Sequence, residues 1–257
     1  LAADLSGITT NAVTAAFDTT GTFTGNLGTA TVTVADSVTM TAAYNVLNGK
    51  TVNHDGSESS QALVVTIASA DAAADLANIT SDITDLTANF SQTQTFIGNL
   101  NSKTASVTDG ITVTATAADV TGDTIAAAGS GSIAVTALHS TLAADLSGLS
   151  SSTGAVTAAF DGTGTFTGNL GTATVTVDNG GTMTTTAAKA TGKTINEAVG
   201  ENATVAITAL DQTLAADLSG ITTNAVTAAF DADGTFIGDL GTAVVTLADG
   251  ADITIAA

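Results

Sequence analysis

The chain lacks proline, cysteine, tryptophan and arginine, and only 4% of its 257 residues are aromatic. Proline cannot donate a backbone hydrogen bond, so its complete absence from a chain of this length favours long hydrogen-bonded ladders. The absence of cysteine excludes disulfide bonds and thiolate metal sites. The sequence contains no run of 18 apolar residues, so it predicts no membrane-spanning segment.

Positive charge is also scarce, because four lysines face 24 acidic residues and give a formal net charge of −20. A field of this sign repels phosphate backbones and anionic lipid surfaces, so the sequence predicts no nucleic-acid partner. Divalent cations are the natural counter-ions. The hydrophobic fraction of 44% is too high for a disordered polar tract, although most of these residues are small.

A tandem repeat of about 71 residues organises the chain. The segment LAADLSGI at Leu1 returns almost unchanged at Leu142 and Leu214, and a degenerate copy begins at Ala73. This spacing predicts repeats over residues 1–71, 72–141 and 142–213 and a partial repeat over 214–257. Neither end resembles a polar capping repeat, so we expect the parent protein or an assembled fibre to continue in both directions.

The phenylalanines confirm the register of the repeat, because all eight occur at two positions per unit. They are Phe17, Phe23, Phe90, Phe96, Phe160, Phe166, Phe230 and Phe236. A match of this kind indicates one structural unit repeated in tandem and carries no information about function.

Alternating β-branched and small residues predict strands in segments such as 30–34, 38–42, 111–115 and 204–208. Turn signals rich in Asp, Asn and Gly separate these segments, so the fold is predicted to be all-β. The alanine-rich run Ala68–Leu76 is expected to form two helical turns at most, because Gly follows its aligned copies.

Within the unit, strand-then-Asp segments begin at Val205, Val226 and Val245, about 20 residues apart. Coils of this length are typical of a parallel β-solenoid, whose turns hydrogen-bond to one another, and three coils would then make one unit. The alternative is a string of small β-sandwich domains of about 71 residues, although sandwich modules commonly have ~100 residues and a buried Trp. The solenoid is the favoured prediction.

The elements GTFTGNLGTATVTV (21–34) and ATGKTI (190–195) resemble the strand repeats of giant Thr/Ala/Gly-rich bacterial surface and adhesin proteins. The resemblance covers the whole chain and is one of composition, so no residue role is carried over from it. It implies export, a filamentous or surface-layer setting, and self-association or adhesion.

Calcium is the one cofactor that the acidic turns suggest. The segment Asp231-Ala-Asp233-Gly234 is similar to the opening of a calcium loop, and Asp18 and Asp161 occupy the position of Asp231 in their own repeats. The carboxylate required at loop position twelve is replaced by Thr242. The competing interpretation is that each Asp caps a turn after a strand.

The histidines and the paired threonines are two further candidate sites. His54 and His139 are interpreted as exposed loop residues, because neither has a partner at ligand spacing in every repeat. Paired threonines such as Thr31 and Thr33 could order water or bind ice on a flat face, but threonine also suits any solvated strand. No unique charge cluster departs from the repeat, so the chain is predicted not to be an enzyme.

The sequence thus predicts a structural protein of an extracellular filament, sheath or cell-surface layer, with copies of itself as partners. Open strand edges would join one subunit to the next. The alternative is the spacer or stalk of a large adhesin, stiffened by calcium.

Overall fold

The computed structural model describes residues 1–9, 12–56, 60–200 and 202–256. These residues form 25 short strands and three single-turn helices. The strands up to β12 are β1 Thr14–Phe17, β2 Gly21–Phe23, β3 Thr31–Val34, β4 Thr39–Ala43, β5 Thr51–His54, β6 Ala62–Ile67, β7 Thr80–Ser81, β8 Asp85–Phe90, β9 Gln94–Phe96, β10 Thr104–Val107, β11 Thr112–Thr116 and β12 Ile125–Ala127.

The remaining strands are β13 Ser132–Thr136, β14 Leu149–Ser151, β15 Val156–Phe160, β16 Thr163–Thr165, β17 Thr174–Val177, β18 Thr182–Thr186, β19 Ile195–Glu197, β20 Thr204–Thr208, β21 Ile221–Thr222, β22 Ala225–Phe230, β23 Gly234–Phe236, β24 Val244–Leu247 and β25 Ile253–Ile255. The helices are α1 Tyr44–Leu47, α2 Ala117–Val120 and α3 Ala187–Ala190. Short 3₁₀ turns occupy Ser69–Asp71, Leu76–Asn78, Leu138–Ser140 and Leu210–Gln212.

The strands pair in parallel with strands one turn away, as a solenoid requires. Val205 pairs with Val226 and Ala228 with Val245, so the segments that suggested coils in the sequence are neighbours in space. The fold is therefore an all-β solenoid of about 12 turns, as predicted. The alternative of small sandwich domains is wrong, because such domains are built from antiparallel pairs.

Contacts between Cα atoms divide the chain into two compact units. The first contains Leu1–Thr114, Asp123–Ser132 and Ser151–Gly154. Its strands form one sheet in the order β1-β3-β5-β7 and another in the order β2-β4-β6-β8-β10-β12. The turns from β1 to β8 thus contribute one strand to each of these two sheets.

The second unit contains Ala115–Gly122, Ile133–Ser150 and the chain from Ala155 onward. Its strands form the sheets β13-β15-β17-β19-β21 and β16-β18-β20-β22-β24, together with the pair β23-β25. The turns vary in length, since partner residues are 20 apart at Val175 and Ile195 and 26 apart at Ile195 and Ile221.

The 71-residue repeat spans three and a half turns, which corrects the predicted three. Each turn holds two strands, whereas each full repeat holds seven, namely β1–β7, β8–β14 and β15–β21. Because seven is odd, equivalent strands of successive repeats lie in different sheets. In the first unit β1 belongs to one sheet and its equivalent β8 to the other.

The core consists of the inward-facing residues of every strand. Along β3 and β6 buried and partly exposed residues alternate, as expected where successive side chains point to opposite faces. The phenylalanines fill the interior, and the rings of Phe90 and Phe96 meet edge-to-face with centroids 5.1 Å apart. Small residues complete the interior between these rings.

Candidate functional site

The candidate calcium ligands lie at one kind of turn. Asp18, Asp161 and Asp231 each directly follow the phenylalanine that ends β1, β15 or β22, and all three are exposed. The repeat therefore places them at equivalent corners of different turns.

Asp161 is paired with a histidine of the preceding turn. Its carboxylate oxygen bonds Nδ1 of His139, and Nε2 of the same ring lies 3.3 Å from the Oγ of Ser140. The ring also meets Phe160 edge-to-face at a centroid distance of 6.4 Å. His139 was predicted to be an exposed loop residue, but it is half-buried within the 3₁₀ turn Leu138–Ser140, and its link to Asp161 was not predicted.

The group Ser140, His139 and Asp161 has the chemical order of a nucleophile, a base and an orienting acid. Catalysis by such a group also needs donors that hold a developing oxyanion. The backbone N–H of Ser140 already donates to the carbonyl of Ala137 in the same turn. The contact between His139 and Asp161 links two successive turns of the solenoid.

Equivalent links recur with different chemistry in the neighbouring repeats. The N–H of Asp231 donates to Oδ1 of Asp211 at 3.3 Å. Where the first repeat meets the second, the N–H and hydroxyl of Ser69, the equivalent of His139, both donate to Oε1 of Gln92, at 3.1 and 2.8 Å. Gln92 lies one residue beyond the equivalent of Asp161. This corner is thus a place where side chains join adjacent turns, whichever residues supply them.

Asp233 accepts a hydrogen bond that a threonine accepts at the equivalent position of the other repeats. Its Oδ1 accepts the N–H of Asp252, on the next turn, at 2.7 Å. The same bond is made in the other repeats by a threonine hydroxyl oxygen, in the pairs Thr20 with Thr39, Thr93 with Thr112, and Thr163 with Thr182. Asp233 therefore replaces a threonine in a link that does not require a metal.

Within the described ranges, no cluster of three or more His, Asp or Glu side chains is arranged to hold a metal ion. The structure does not bring Asp18, Asp161, Asp231 and Asp233 together as one group. Calcium binding by these residues stays a prediction, and their observed contacts are those of turn-capping and turn-linking groups.

His54 was predicted to be an exposed loop residue, but it is the half-buried last residue of β5 and contacts Asp82. The N–H of His54 donates to one carboxylate oxygen of Asp82 at 2.7 Å, and its Nε2 lies 3.6 Å from the other. Its Nδ1 accepts the N–H of Gly56 at 2.9 Å. Glu58, which belongs to the same polar segment of the sequence as His54, lies outside the described residues.

Each copy of the LAADLSGI segment contains one aspartate, here called the landmark aspartate, which holds a turn that the sequence alone did not assign. Oδ1 of Asp4, Asp75, Asp145 and Asp217 each accepts the backbone N–H two residues on, at 3.0 Å. The pKa values of Asp4, Asp145 and Asp217 lie below the ordinary value. The main cause is a hydrogen bond from the hydroxyl of the serine two residues on, and the second is the bond from the backbone N–H of that serine.

Each landmark aspartate pairs with an Asx turn on the following turn of the solenoid. The bridges join Asp4 to Asn26, Asp75 to Asn99, Asp145 to Asn169 and Asp217 to Asp239. The signal in the sequence was the GNL or GDL element that follows each second phenylalanine. Sequence analysis found these residues as landmarks but missed their contacts.

The lysines of the GKT elements reach back to a glycine turn. Nζ of Lys50 donates to the carbonyl of Gly28 at 2.5 Å, and Nζ of Lys193 donates to that of Gly171 at 2.6 Å. In the second repeat Asp123 occupies this position, and partial burial raises the pKa of its carboxyl group. A carboxylate cannot donate the bond that the lysines make.

The threonine pairs form only short outward rows. Thr14 pairs with Thr31, and Thr51 pairs with Thr80, in one row of the first sheet. In the next row Thr33 lies between Ala16 and Asn53. Because the second row is interrupted, the geometry does not favour ice binding over an ordinary solvated face.

The described part of the chain holds no helix that is both long enough and apolar enough to span a bilayer. No family model, no curated protein and no solved structure matches this chain. The contacts between turns of the solenoid are therefore the basis for a proposal of function.

Proposed function

We propose that the chain is a structural repeat protein of a bacterial extracellular filament, sheath or cell-surface layer, and that it self-associates through strand edges. The observation that carries the proposal is the parallel ladder that joins turn to turn. The strand pairs of this ladder are parallel, as in β1 with β3 and β22 with β24, so the edge of a further parallel strand would extend the ladder. Such edges are templates for pairing with another chain.

The repeat supports a mechanical rather than a chemical role. The links between turns differ in chemistry from repeat to repeat but stay at the same corner to within one residue, as in the pair His139–Asp161 and the pair Ser69–Gln92. A binding or catalytic site would depend on the identity of these groups, whereas a scaffold depends on the links themselves. The net charge of −20 keeps neighbouring molecules apart and soluble.

Sedimentation velocity over a range of protein concentrations tests this proposal. We expect the mean sedimentation coefficient to rise with concentration, and to rise further with added NaCl, because salt screens the repulsion between acidic copies. A single slow boundary at every concentration and salt level would contradict it. A chelator arm is included in the same series.

The alternative function is the spacer or stalk of a large adhesin, with calcium stiffening its acidic turns. The near-identical units favour it, since they extend reach without adding a site. In that case the chain sediments as a monomer, and calcium raises its melting temperature while a chelator lowers it. The filament proposal expects association that is unchanged by the chelator.

A further inference from the structure

We propose that the first repeat binds a neutral saccharide in a surface pocket lined by three asparagines and a lysine. This inference goes beyond the proposed structural function and does not depend on self-association. The pocket has a volume of about 390 Å³, which is in the range of sites that hold a small ligand. Its lining residues are Gly25, Asn26, Leu27, Asn45, Val46, Asn48 and Lys50.

Successive turns of the first unit build the walls of this pocket. All seven lining residues belong to that unit. Asn26 forms a bridge with Asp4 on the turn before it. On the other side, the N–H of Gly49 donates to the carbonyl of Asn78 on the following turn at 3.0 Å. The pocket therefore lies among turns that are bonded to one another.

Asn48 occupies a position that has a structural role in the later repeats. Its equivalents Thr121 and Thr191 each accept, through the hydroxyl oxygen, the N–H of the landmark aspartate on the following turn at 2.8 Å. In the first repeat the hydroxyl oxygen of Tyr44 accepts that N–H instead, from Asp75 at 3.1 Å. Because Tyr44 makes this link, the side chain of Asn48 is not needed for it.

Asn45 is a second departure from the repeat, because Ala118 and Ala188 are its equivalents. Asn45 and Asn48 are both exposed, and within the described residues neither side-chain amide has a hydrogen-bond partner. The pocket thus contains two carboxamide groups that the packing of the turns does not use. Their oxygen and nitrogen atoms are available to a ligand.

Asn26 and Lys50 add hydrogen-bond donors beside these two amides. Oδ1 of Asn26 accepts the N–H of Gly28 at 2.9 Å, which leaves its NH₂ group available. Nζ of Lys50 has three N–H donors and uses one of them for the carbonyl of Gly28, at 2.5 Å. The pocket therefore offers both donors and acceptors. A ligand rich in hydroxyl groups needs both, because each hydroxyl donates and accepts.

The composition of the pocket favours a neutral saccharide over other ligands. Among the described residues the lining contains no carboxylate, so calcium would lack the charged ligands that it prefers. An anionic ligand would use only the donors, and the net charge of −20 opposes its approach. Leu27 is buried and Val46 half-buried, and they offer a small apolar contact to the C–H groups of a sugar ring.

Titration calorimetry and saturation-transfer NMR with defined oligosaccharides test the class of ligand. The probes are neutral hexasaccharides of glucose, mannose and galactose, with a hexasaccharide of galacturonic acid as the anionic comparison. We expect at least one neutral probe to bind and the anionic probe to bind about tenfold more weakly. Binding of no neutral probe would overturn the inference, and so would an anionic probe that binds as tightly as the neutral ones.

The double variant Asn45→Ala, Asn48→Thr locates the site, because it gives the first repeat the residues that the third repeat has at these positions. The fold should therefore be preserved, which circular dichroism verifies. We expect the dissociation constant for the neutral probe to rise about tenfold, since hydrogen bonds to the ligand are lost. The matched control is Asn179→Ala, at an exposed turn residue of the third repeat, and its affinity should be unchanged.

A second measurement makes the test independent of the variant's stability. In the unchanged chain, the side-chain amide resonances of Asn45 and Asn48 should shift when the neutral probe is added. Binding that leaves these resonances unmoved, or that is equally tight in the double variant, would place the ligand elsewhere and overturn the inference.

Binding and self-association are measured separately, so the two proposals can fail separately. A chain that assembles but binds no neutral probe overturns this inference and leaves the structural function standing. A chain that binds the probe while it sediments as a monomer supports the pocket, although the proposed self-association then fails.

Discussion

At the scale of single residues, Asp123 departs from the rule that its repeat equivalents follow. Lys50 and Lys193 each donate to the carbonyl of a glycine on the turn before, whereas Asp123 presents a partly buried carboxyl group with a raised pKa at the same place. The substitution Asp123→Lys should therefore stabilise the fold by about 1 kcal/mol, since it restores a charge-assisted hydrogen bond. Chemical denaturation measures the change.

A control separates this local effect from the change in net charge. Asp85→Lys changes the charge by the same amount at an exposed strand residue. If Asp85→Lys stabilises the chain as much as Asp123→Lys, relief of general repulsion explains both, and the argument from the repeat is wrong.

Two alanines adopt a left-handed backbone conformation just before 3₁₀ turns. Ala209 has φ 55° and Ala137 has φ 54°, whereas Ala68, which precedes the corresponding turn of the first full repeat, has φ −95°. A left-handed conformation costs an L-residue about 1–2 kcal/mol, and glycine avoids most of this. We expect Ala209→Gly to raise the free energy of unfolding by about 0.5–1 kcal/mol.

Ala68→Gly is the matched control, because its backbone conformation is open to any residue. Glycine there only adds entropy to the unfolded state, so stability should fall by about 0.5–1 kcal/mol. Equal effects of the two substitutions in equilibrium urea unfolding would contradict the account.

Single residues were also where sequence reasoning was least informative. Asp231 and Asp233 suggested a calcium loop because they lie two positions apart. In the structure, Asp233 accepts a hydrogen bond from a backbone N–H of the next turn, as Thr163 does at the equivalent position of its own repeat. A partner on the next turn, some 20 residues away, cannot be found from local spacing.

At the scale of elements, close packing between turns depends on glycines at the points where two turns approach each other. A Cβ on Gly168 would lie 2.0 Å from the carbonyl oxygen of Ala144, and Gly238 meets Ala216 at the same distance. Backbone cannot give way as a flexible side chain can, so Gly168→Ala should destabilise the chain by about 3 kcal/mol. Thermal unfolding followed by circular dichroism reports the loss.

Gly7→Ala provides the comparison, because no atom lies within 4 Å of the added carbon. Its effect should remain within about 0.5 kcal/mol. A comparable loss at both positions would show that glycine acts through backbone freedom rather than through the close approach.

The elements themselves were largely predictable. Alternation in segments 30–34, 38–42, 111–115 and 204–208 corresponds to β3, β4, β11 and β20 within a residue or two, because inward and outward positions differ in hydrophobicity. The single-turn helices were not predicted, since four residues are too few for a helical period. The extra half turn in each repeat was also not predicted. It is formed by β7, β14 and β21, which are too short to show alternation in the sequence.

At the scale of the whole molecule, the acidic turns give stability a defined pH dependence. The pKa values of Asp4, Asp109, Asp145 and Asp217 all lie below the ordinary 3.8. For Asp109 the main cause is the N–H of Ser130, and for the other three it is a serine hydroxyl. A lowered folded-state pKa contributes stability that is complete above the unfolded value and lost as pH falls through the folded value.

We therefore expect the melting temperature to be steady from pH 7 to about 5 and to fall below about pH 4. A variant carrying Asp4→Asn, Asp145→Asn and Asp217→Asn keeps an acceptor in each turn, as Asn26 and Asn169 already do. As the pH falls, the melting temperature of this variant should decrease less than that of the unchanged chain. An acid transition identical to that of the unchanged chain would assign the effect to other carboxylates.

The central claim is that this solenoid is a unit of a filament, and electron microscopy of the purified chain tests it most directly. At high protein concentration and moderate salt, we predict continuous fibres with a regular axial repeat that a calcium chelator leaves unchanged. Isolated short particles at every concentration would contradict the claim and favour a stalk that acts as a single chain.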